Sequence, residues 1–126
     1  MLESAALVGF VGVSDLVRAR HGDQLGLLSL RDETPFALVA EAGGTMLRIT
    51  AVDDVAPVPY TVLGWSVFDI DKTINHLVSR GVTFSRYEAM NQHQRGVWTA
   101  PSGSRIAWFR DPDGNTPSLT EFAYPG

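Results

Sequence analysis

The chain has 126 residues, of which 44% are hydrophobic and 19% charged, and this length and composition are typical of one globular domain. It has no cysteine, which excludes disulfides, thiolate metal sites and a cysteine nucleophile. A net charge of −4 argues against a nucleic-acid partner, and the lack of any run of about 18 apolar residues argues against a membrane span. A signal peptide carries basic residues near its start, whereas this sequence has the acidic Glu3 there. We therefore expect a cytoplasmic protein.

The first half of the sequence predicts a strand, a short helix and three further strands. Ser14 or Asp15 can cap the helix, and Gly26 can end it. The pair Gly43-Gly44 is typical of a hairpin turn between the last two strands. The predicted strands cover residues 6–13, 27–31, 36–40 and 45–50, and the predicted helix covers 16–24.

The second half predicts the same order of elements. Asp69 can cap a helix whose apolar residues recur at i, i+4, i+7 and i+8 from Ile70, and Gly81 suits the left-handed exit from it. Residues 111–115, which read DPDGN, predict a tight turn between the last two strands. The predicted strands cover residues 61–68, 82–86, 105–110 and 118–122, and the predicted helix covers 70–80.

The two halves match in three features in the same order: the end of the first strand, the glycine after the helix, and the last hairpin. They differ mainly by an insertion at residues 87–104. We therefore predict an α+β fold of two βαβββ modules within one domain, at about 5–51 and 60–123. The segment at about 52–59, with two Asp and two Pro, is the predicted linker.

Several stretches resemble the glyoxalase/bleomycin resistance protein/dioxygenase (vicinal oxygen chelate) superfamily. Residues 109–115 are similar to its F-x-D-P-D-G-N turn, and residues 67–82 are similar to the opening of its second module. Residues 25–27 resemble its L-G-L after the first helix, and residues 96–122 resemble an uncharacterised bacterial subgroup. One departure lies at residues 18–24, which lack the family's Phe-Tyr pair, so we expect a shorter or shifted first helix.

The resemblance implies that the two modules form a half-barrel cleft and that the protein is a homodimer. It also implies a divalent metal held by four side chains, two from each module. These positions correspond here to Val8, Arg48, Val62 and Ser118. Two aliphatic side chains, a cation and a neutral hydroxyl are not the ligands that a divalent metal prefers. The sequence therefore predicts that there is no metal site and no cofactor.

Strand alternation places further side chains on the face that carries these four positions. The face mixes apolar, aromatic, hydroxyl and cationic groups, which suits a mostly apolar small organic molecule with an anionic or carbonyl group near Arg48. The predicted ligand-binding residues are Phe10, Met46, Arg48, Val62, Ser66, Trp108, Arg110, Ser118 and Thr120.

Some of these residues have a purely structural alternative. Arg48 could bind a ligand's carboxylate or phosphate, or it could pair with an acid such as Glu41 or Glu121. Trp108 could stack on a planar ligand, or it could pack in the core or in an interface. Trp98, in the insertion, could cover the cleft or contact a partner subunit.

Two functions are compatible with these residues, and whether the protein is an enzyme stays open. The first is a metal-independent protein that sequesters an antibiotic or an aromatic metabolite, as bleomycin-resistance proteins do. The second is a metal-independent lyase or isomerase acting on a carbonyl compound, in which Arg48 polarises an oxyanion and Glu88 or His93 moves a proton. The residues at the four ligand positions disfavour a metal-dependent glyoxalase or dioxygenase, and a scaffold without a ligand is a further alternative.

Overall fold

Each half of the chain folds into its own four-stranded sheet. The computed structural model describes residues 2–16, 28–33, 35–56, 60–88, 90–93, 95–111 and 113–123. It divides into two units, Met1–Ala56 and Pro57–Gly126, which are treated in turn below. Most of the predicted first helix, and the residues that resemble L-G-L, lie outside the described residues.

The first unit begins with a 3₁₀ turn at Leu2–Ser4 and continues with four strands. They are β1 (Val8–Val13), β2 (Leu28–Glu33), β3 (Ala37–Ala42) and β4 (Thr45–Ala51). The strand order is β1-β4-β3-β2, with β1 parallel to β4 and the other pairs antiparallel. Gly43 and Gly44 have φ values of 57° and 82°, which confirms the hairpin because such a turn needs positive φ at both positions.

The core of the first unit is formed by alternate residues of its strands. Val11, Val13, Leu47 and Ile49 are at most 4% exposed, and they share one face because neighbouring strand residues point to opposite faces. The other face of β1 and β4 carries the side chains predicted to meet a ligand. The alternation in the sequence was therefore sufficient to separate the two faces of these strands.

The second unit contains four strands and one helix. They are β5 (Gly64–Ser66), α1 (Ile70–Ser79), β6 (Trp98–Thr99), β7 (Arg105–Trp108) and β8 (Ser118–Glu121). The strand order is β5-β8-β7-β6, with β5 parallel to β8. This is the order of the first unit repeated, so the topology confirms the internal repeat that the sequence predicted.

The helix α1 forms as its sequence predicted. The Asp69 side chain caps it by accepting a hydrogen bond from the Lys72 amide at 3.1 Å, and Gly81 leaves it with φ 95°. Ile70, Ile74 and Leu77 are buried, whereas the fourth apolar residue of the pattern, Val78, is 52% exposed. No helix within the described ranges is long and apolar enough to cross a membrane.

Three strands predicted for the second unit differ from the strands observed there. The strand predicted at 61–68 is only Gly64–Ser66, and the one predicted at 105–110 ends at Trp108. The strand predicted at 82–86 makes only a single bridge, between Phe84 and Phe109. Its place at the sheet edge is taken by β6, which lies inside the segment predicted to be an insertion. The composition of residues 82–86 favours a strand, but they make no continuous ladder with β7.

Smaller differences concern the first sheet. The strand predicted at 27–31 is Leu28–Glu33, and the one predicted at 36–40 is Ala37–Ala42. A bulge between Ser29 and Arg31 shifts the register of β2 against β3. This extension matters for the site because it brings Glu33 into the sheet.

Candidate functional site

One face of the second sheet carries most of the predicted ligand-binding residues of that unit. Arg105 and Glu121 define the opposite face, because Arg105 pairs with Asp71 of α1 and the Glu121 carboxylate accepts from the Ile70 amide at 2.8 Å. Residues one position away in β7 and β8 therefore point away from α1. Two rows cross this outer face, namely Trp98, Ile106, Thr120 and Ser66, and beside them Trp108, Ser118 and Gly64.

Three aromatic side chains meet on the outer face. The Trp108 ring lies 5.8 Å from the ring of Tyr87, nearly perpendicular to it, and 6.3 Å from the ring of Trp98. All three residues are half-buried, so each keeps part of its surface accessible. We call Tyr87, Trp98 and Trp108 the aromatic cluster. Such a cluster offers both faces and edges of rings to a planar molecule.

Trp65 lies on the other side of the sheet. It pairs with Leu119 in β8, and its ring stacks on Phe109 at 6.5 Å. Leu119 and Phe109 are both buried, which places Trp65 at the core side near α1. The second unit therefore separates its tryptophans, with one toward the core and two on the outer face.

Gln92 holds the segment that supplies Tyr87, a role that the sequence did not reveal. Its Oε1 accepts a hydrogen bond from the Tyr87 amide at 2.6 Å, and its Nε2 donates to the carbonyls of Gly96 at 2.7 Å and Ser85 at 3.3 Å. The run of polar residues at 92–95 predicts a solvated segment. The side-chain amide of Gln92 instead joins backbone groups of Ser85, Tyr87 and Gly96 and so adds to the few backbone bridges of this segment.

We expect Gln92→Ala to destabilise the protein by about 2 kcal/mol, because three backbone groups lose their partner at once. Gln92→Glu keeps the acceptor for Tyr87 but turns a donor into a charge facing two carbonyls, so it should destabilise at least as much. Urea unfolding measures both. If Gln92→Glu matches the unsubstituted protein in stability, the assigned role of Nε2 is wrong.

Gly64 of β5 is paired with Ser118 of β8. A Cβ on Gly64 would lie 2.8 Å from the Ser118 Oγ, closer than real Cβ contacts. Ser118 is buried, whereas Thr120 is half-buried and Ser66 is exposed. The outer face therefore carries three hydroxyl groups as well as the aromatic cluster, one buried, one half-buried and one exposed.

The remaining predicted residues of this unit are more exposed. Val62 is 54% exposed and precedes β5, and Arg110 is exposed beyond the end of β7. Glu88 and His93, the candidates for proton transfer, are both exposed. The His93 Nδ1 accepts from the Arg95 amide at 3.3 Å, a contact that belongs to the local turn. Neither candidate is held in a buried setting of the kind that tunes a general acid or base.

Arg48 of the first unit is paired with an acid, but with neither of the two acids that the sequence suggested. Its Nη2 lies 2.7 Å from the Glu33 Oε1, and Arg31 Nε lies 3.0 Å from the Glu33 Oε2. The acid is Glu33 and not Glu41 or Glu121, because β2 extends to Glu33 and a bulge sets its register against β3. One carboxylate therefore serves two guanidinium groups, which leaves this trio with a net positive charge.

Phe10 is the neighbour of Arg48 in the parallel ladder of β1 and β4, and Met46 is the neighbour of Val8. Phe10 is 62% exposed and Val8 is 40% exposed, whereas Met46 and Arg48 are half-buried. This face of the first unit thus combines apolar side chains with one guanidinium. The sequence predicted this combination for this face of the first unit.

The pKa of Glu33 is lowered from its ordinary value, mainly by the hydrogen bond from Arg48, against a smaller opposing effect of desolvation. A carboxylate with a lowered pKa stabilises the fold above its unfolded pKa and loses that contribution as the pH falls through the folded value. We expect Arg48→Gln to return the pKa of Glu33 toward its ordinary value, and Arg31→Gln to move it less. Carbon-13 NMR titration of the carboxyl group measures both, and equal shifts would contradict the assignment.

The four positions implied to hold a metal do not fit one in this chain. They carry Val8, Arg48, Val62 and Ser118, and the only charged side chain among them is a cation already paired with Glu33. Within the described part of the chain, no three His, Asp or Glu side chains lie close enough together to hold a metal ion. No catalytic step through a metal is therefore derived.

Comparison with solved structures identifies the class of fold. The chain has the fold of the glyoxalase/bleomycin resistance protein/dioxygenase superfamily, as its motifs predicted, and members of that superfamily match it over nearly its whole length. The member from Sphaerobacter thermophilus is 25% identical with a TM-score of 0.71, and the match covers 96% of this chain and 99% of that chain. No family model and no curated protein matches the sequence.

Two further neighbours are proteins named for a function. TnmS3, an antibiotic binding protein from a Streptomyces species, is 24% identical with a TM-score of 0.70, over 98% of this chain and 99% of that chain. A lactoylglutathione lyase from Agrobacterium tumefaciens is 19% identical with a TM-score of 0.68, over 94% and 93%. The same fold thus occurs in a binding protein and in an enzyme, so the fold alone does not choose between them.

Proposed function

We propose that this protein binds a planar, mostly apolar organic molecule, without a metal ion, on the outer face of its second sheet. The observation that carries the proposal is the aromatic cluster of Tyr87, Trp98 and Trp108, which lies there beside hydroxyl groups. Binding sites for small molecules typically combine apolar and aromatic walls with a few polar groups. An antibiotic or an aromatic metabolite has the required chemistry.

The size of the ligand follows from the affinity that such a face can supply. Burying one ring system of tryptophan size removes roughly 150–250 Å² from water, which gains about 4–6 kcal/mol before the cost of association. Micromolar affinity needs about 8 kcal/mol. Because an indole-sized system of two fused rings falls short of this value, a ligand with a larger planar system is better matched to this face.

The metal-independent part of the proposal is supported by the chemistry of the four ligand positions. Val8 and Val62 offer no donor atom, and Arg48 would repel a divalent cation. The exposure of Glu88 and His93 supports sequestration in preference to catalysis, and the antibiotic binding protein among the structural neighbours is an example of binding by this fold. The resemblance further supports a homodimer as part of the proposal, and the lack of cysteine is compatible with a cytoplasmic location.

Tryptophan fluorescence tests the proposal directly. In a Trp65→Phe variant, the two remaining tryptophans are Trp98 and Trp108, so quenching reports on the outer face alone. The Phe side chain keeps an aromatic contact with Phe109 and should preserve the fold. We expect saturable quenching by at least one member of a panel of planar antibiotics and aromatic metabolites. A panel without any saturable quenching would count decisively against the proposal.

A further inference from the structure

The second unit contains a cavity whose described lining residues do not include any member of the aromatic cluster. It has a volume of about 300 Å³ and lies between α1 and the segment that follows it. Ile74 and Val78 of α1 line it, together with Val82 and Phe84. Ile74 and Val82 are buried, whereas Val78 is 52% exposed, so the cavity has a closed apolar floor and an open rim. Its volume is at the lower end of the range for small-molecule sites.

Two arginines line the same cavity, and their hydrogen bonds leave their charge uncompensated. Arg86 donates to the backbone carbonyls of His93 at 2.7 Å and Gln92 at 3.3 Å, and Arg95 donates to the Asn75 side-chain carbonyl. These acceptors are neutral, so they position the guanidinium groups without cancelling them. Among the described residues that line the cavity, none is acidic.

Two opposing charges must be weighed against the arginines. Asp71 interacts electrostatically with Arg95, but its carboxylate makes its hydrogen bonds to Arg105, at 2.9 and 3.2 Å. Val78 lies in the last turn of α1, where the helix dipole is equivalent to about half a negative charge. The charge of Asp71 is balanced by Arg105, so the two positive charges of Arg86 and Arg95 are opposed mainly by the half charge of the helix dipole, and the cavity favours an anion.

We infer that this cavity binds a small amphiphilic anion, a monocarboxylate with an aliphatic or aromatic body. The apolar body would lie against Ile74, Val82 and Phe84, and the carboxylate would meet Arg86 and Arg95 at the rim. Guanidinium groups that are already fixed by hydrogen bonds bind a carboxylate with little further loss of side-chain freedom. This site is separate from the aromatic cluster and does not depend on the function proposed there.

Proton–nitrogen NMR with octanoate as the probe tests the inference, with octanamide as a neutral analogue of the same length. We expect octanoate to shift the amide signals of Val82, Phe84 and Gly96 saturably, and octanamide to bind at least about tenfold more weakly. Octanoate shifts confined to Trp98 and Trp108, no saturable shifts, or equal binding of the two probes would each overturn the inference.

A matched pair of variants isolates the cavity. Val78→Asp places a carboxylate at the cavity wall, and Ser79→Asp places the same charge one residue away on α1, outside the lining. Both residues are exposed, so both variants should fold. We expect Val78→Asp to weaken octanoate binding by about tenfold or more, and Ser79→Asp to change it by less than about twofold. Equal effects would contradict the site, and if Val78→Asp fails to fold, the comparison of the two probes still decides.

Discussion

Replacing Trp108 with Ala is expected to weaken binding of the fluorescence-identified ligand by roughly 30-fold, about 2 kcal/mol, as is typical of a central aromatic contact. Trp108 is the residue that contacts both other members of the aromatic cluster, Tyr87 and Trp98. Its removal therefore takes away ring surface and also the packing that positions its two neighbours. Trp108→Phe keeps an aromatic ring and should lose only about threefold.

The control for this prediction is the same truncation on the other side of the sheet. Trp65→Ala removes an indole that stacks on Phe109 near α1, so it should lower stability while leaving affinity within about twofold. Isothermal titration of the three variants, with thermal unfolding measured alongside, separates lost binding from lost folding. Wild-type affinity in a folded Trp108→Ala protein would show that the ligand binds elsewhere.

Replacing Asp111 with Ala is expected to destabilise the second unit by about 3 kcal/mol, which corresponds to a fall in Tm of roughly 10 °C. Asp111 is buried, and its Oδ1 accepts from the amides of Asp113 at 3.0 Å and Asn115 at 2.9 Å, while its Oδ2 accepts from the Asn115 side chain at 2.8 Å. The variant would leave three donors of one turn without this acceptor. That turn connects β7 to β8, the two central strands of the sheet.

A conservative substitution tests whether the two oxygens have these separate roles. Asp111→Asn can keep the Oδ1 acceptor for both amides and loses only the bond to the Asn115 side chain, so it should cost roughly half as much as Asp111→Ala. Thermal and urea unfolding of the two variants give the comparison. Equal stability of Asp111→Ala and the unsubstituted protein would show that the turn does not depend on this carboxylate.

The features predicted correctly from sequence are those that local chemistry dictates. The hairpin at Gly43-Gly44 could be predicted because few residues other than glycine adopt two successive positive φ values. Asp69 marked the start of α1 because a carboxylate there accepts from the free amides of the first turn. The DPDGN run marked its turn for the same reason, since Asp111 accepts from two amides within five residues.

The features that the sequence did not predict depend on partners distant in the chain. Trp98–Thr99 is a strand only because it pairs with β7, and two residues carry no readable alternation. Residues 82–86 have a strand-like composition, yet they make a single bridge. The partner of Arg48 was missed because a bulge in β2 sets which acid comes beside it. In each case the result depends on the register between paired strands, and a local sequence pattern does not determine that register.

The candidate site was predicted in its composition but not in its organisation. Alternation placed Trp108, Ser118 and Thr120 on one face, and the strand pairing confirms that they share it. The contribution of Tyr87 came from the segment expected to be a loop, and Gln92 holds it through backbone contacts that no periodicity reveals. A glutamine within a polar run gives no signal of such a role.

The most direct test of metal-independent binding is one titration performed under two conditions. Metal-stripped protein in the presence of a chelator is titrated with the ligand that quenches Trp98 and Trp108, and the titration is repeated after adding zinc or magnesium in place of the chelator. Because Val8, Arg48, Val62 and Ser118 supply no suitable ligand set, we expect the two Kd values to agree within about twofold. Binding that appears only when the metal is added would contradict this account.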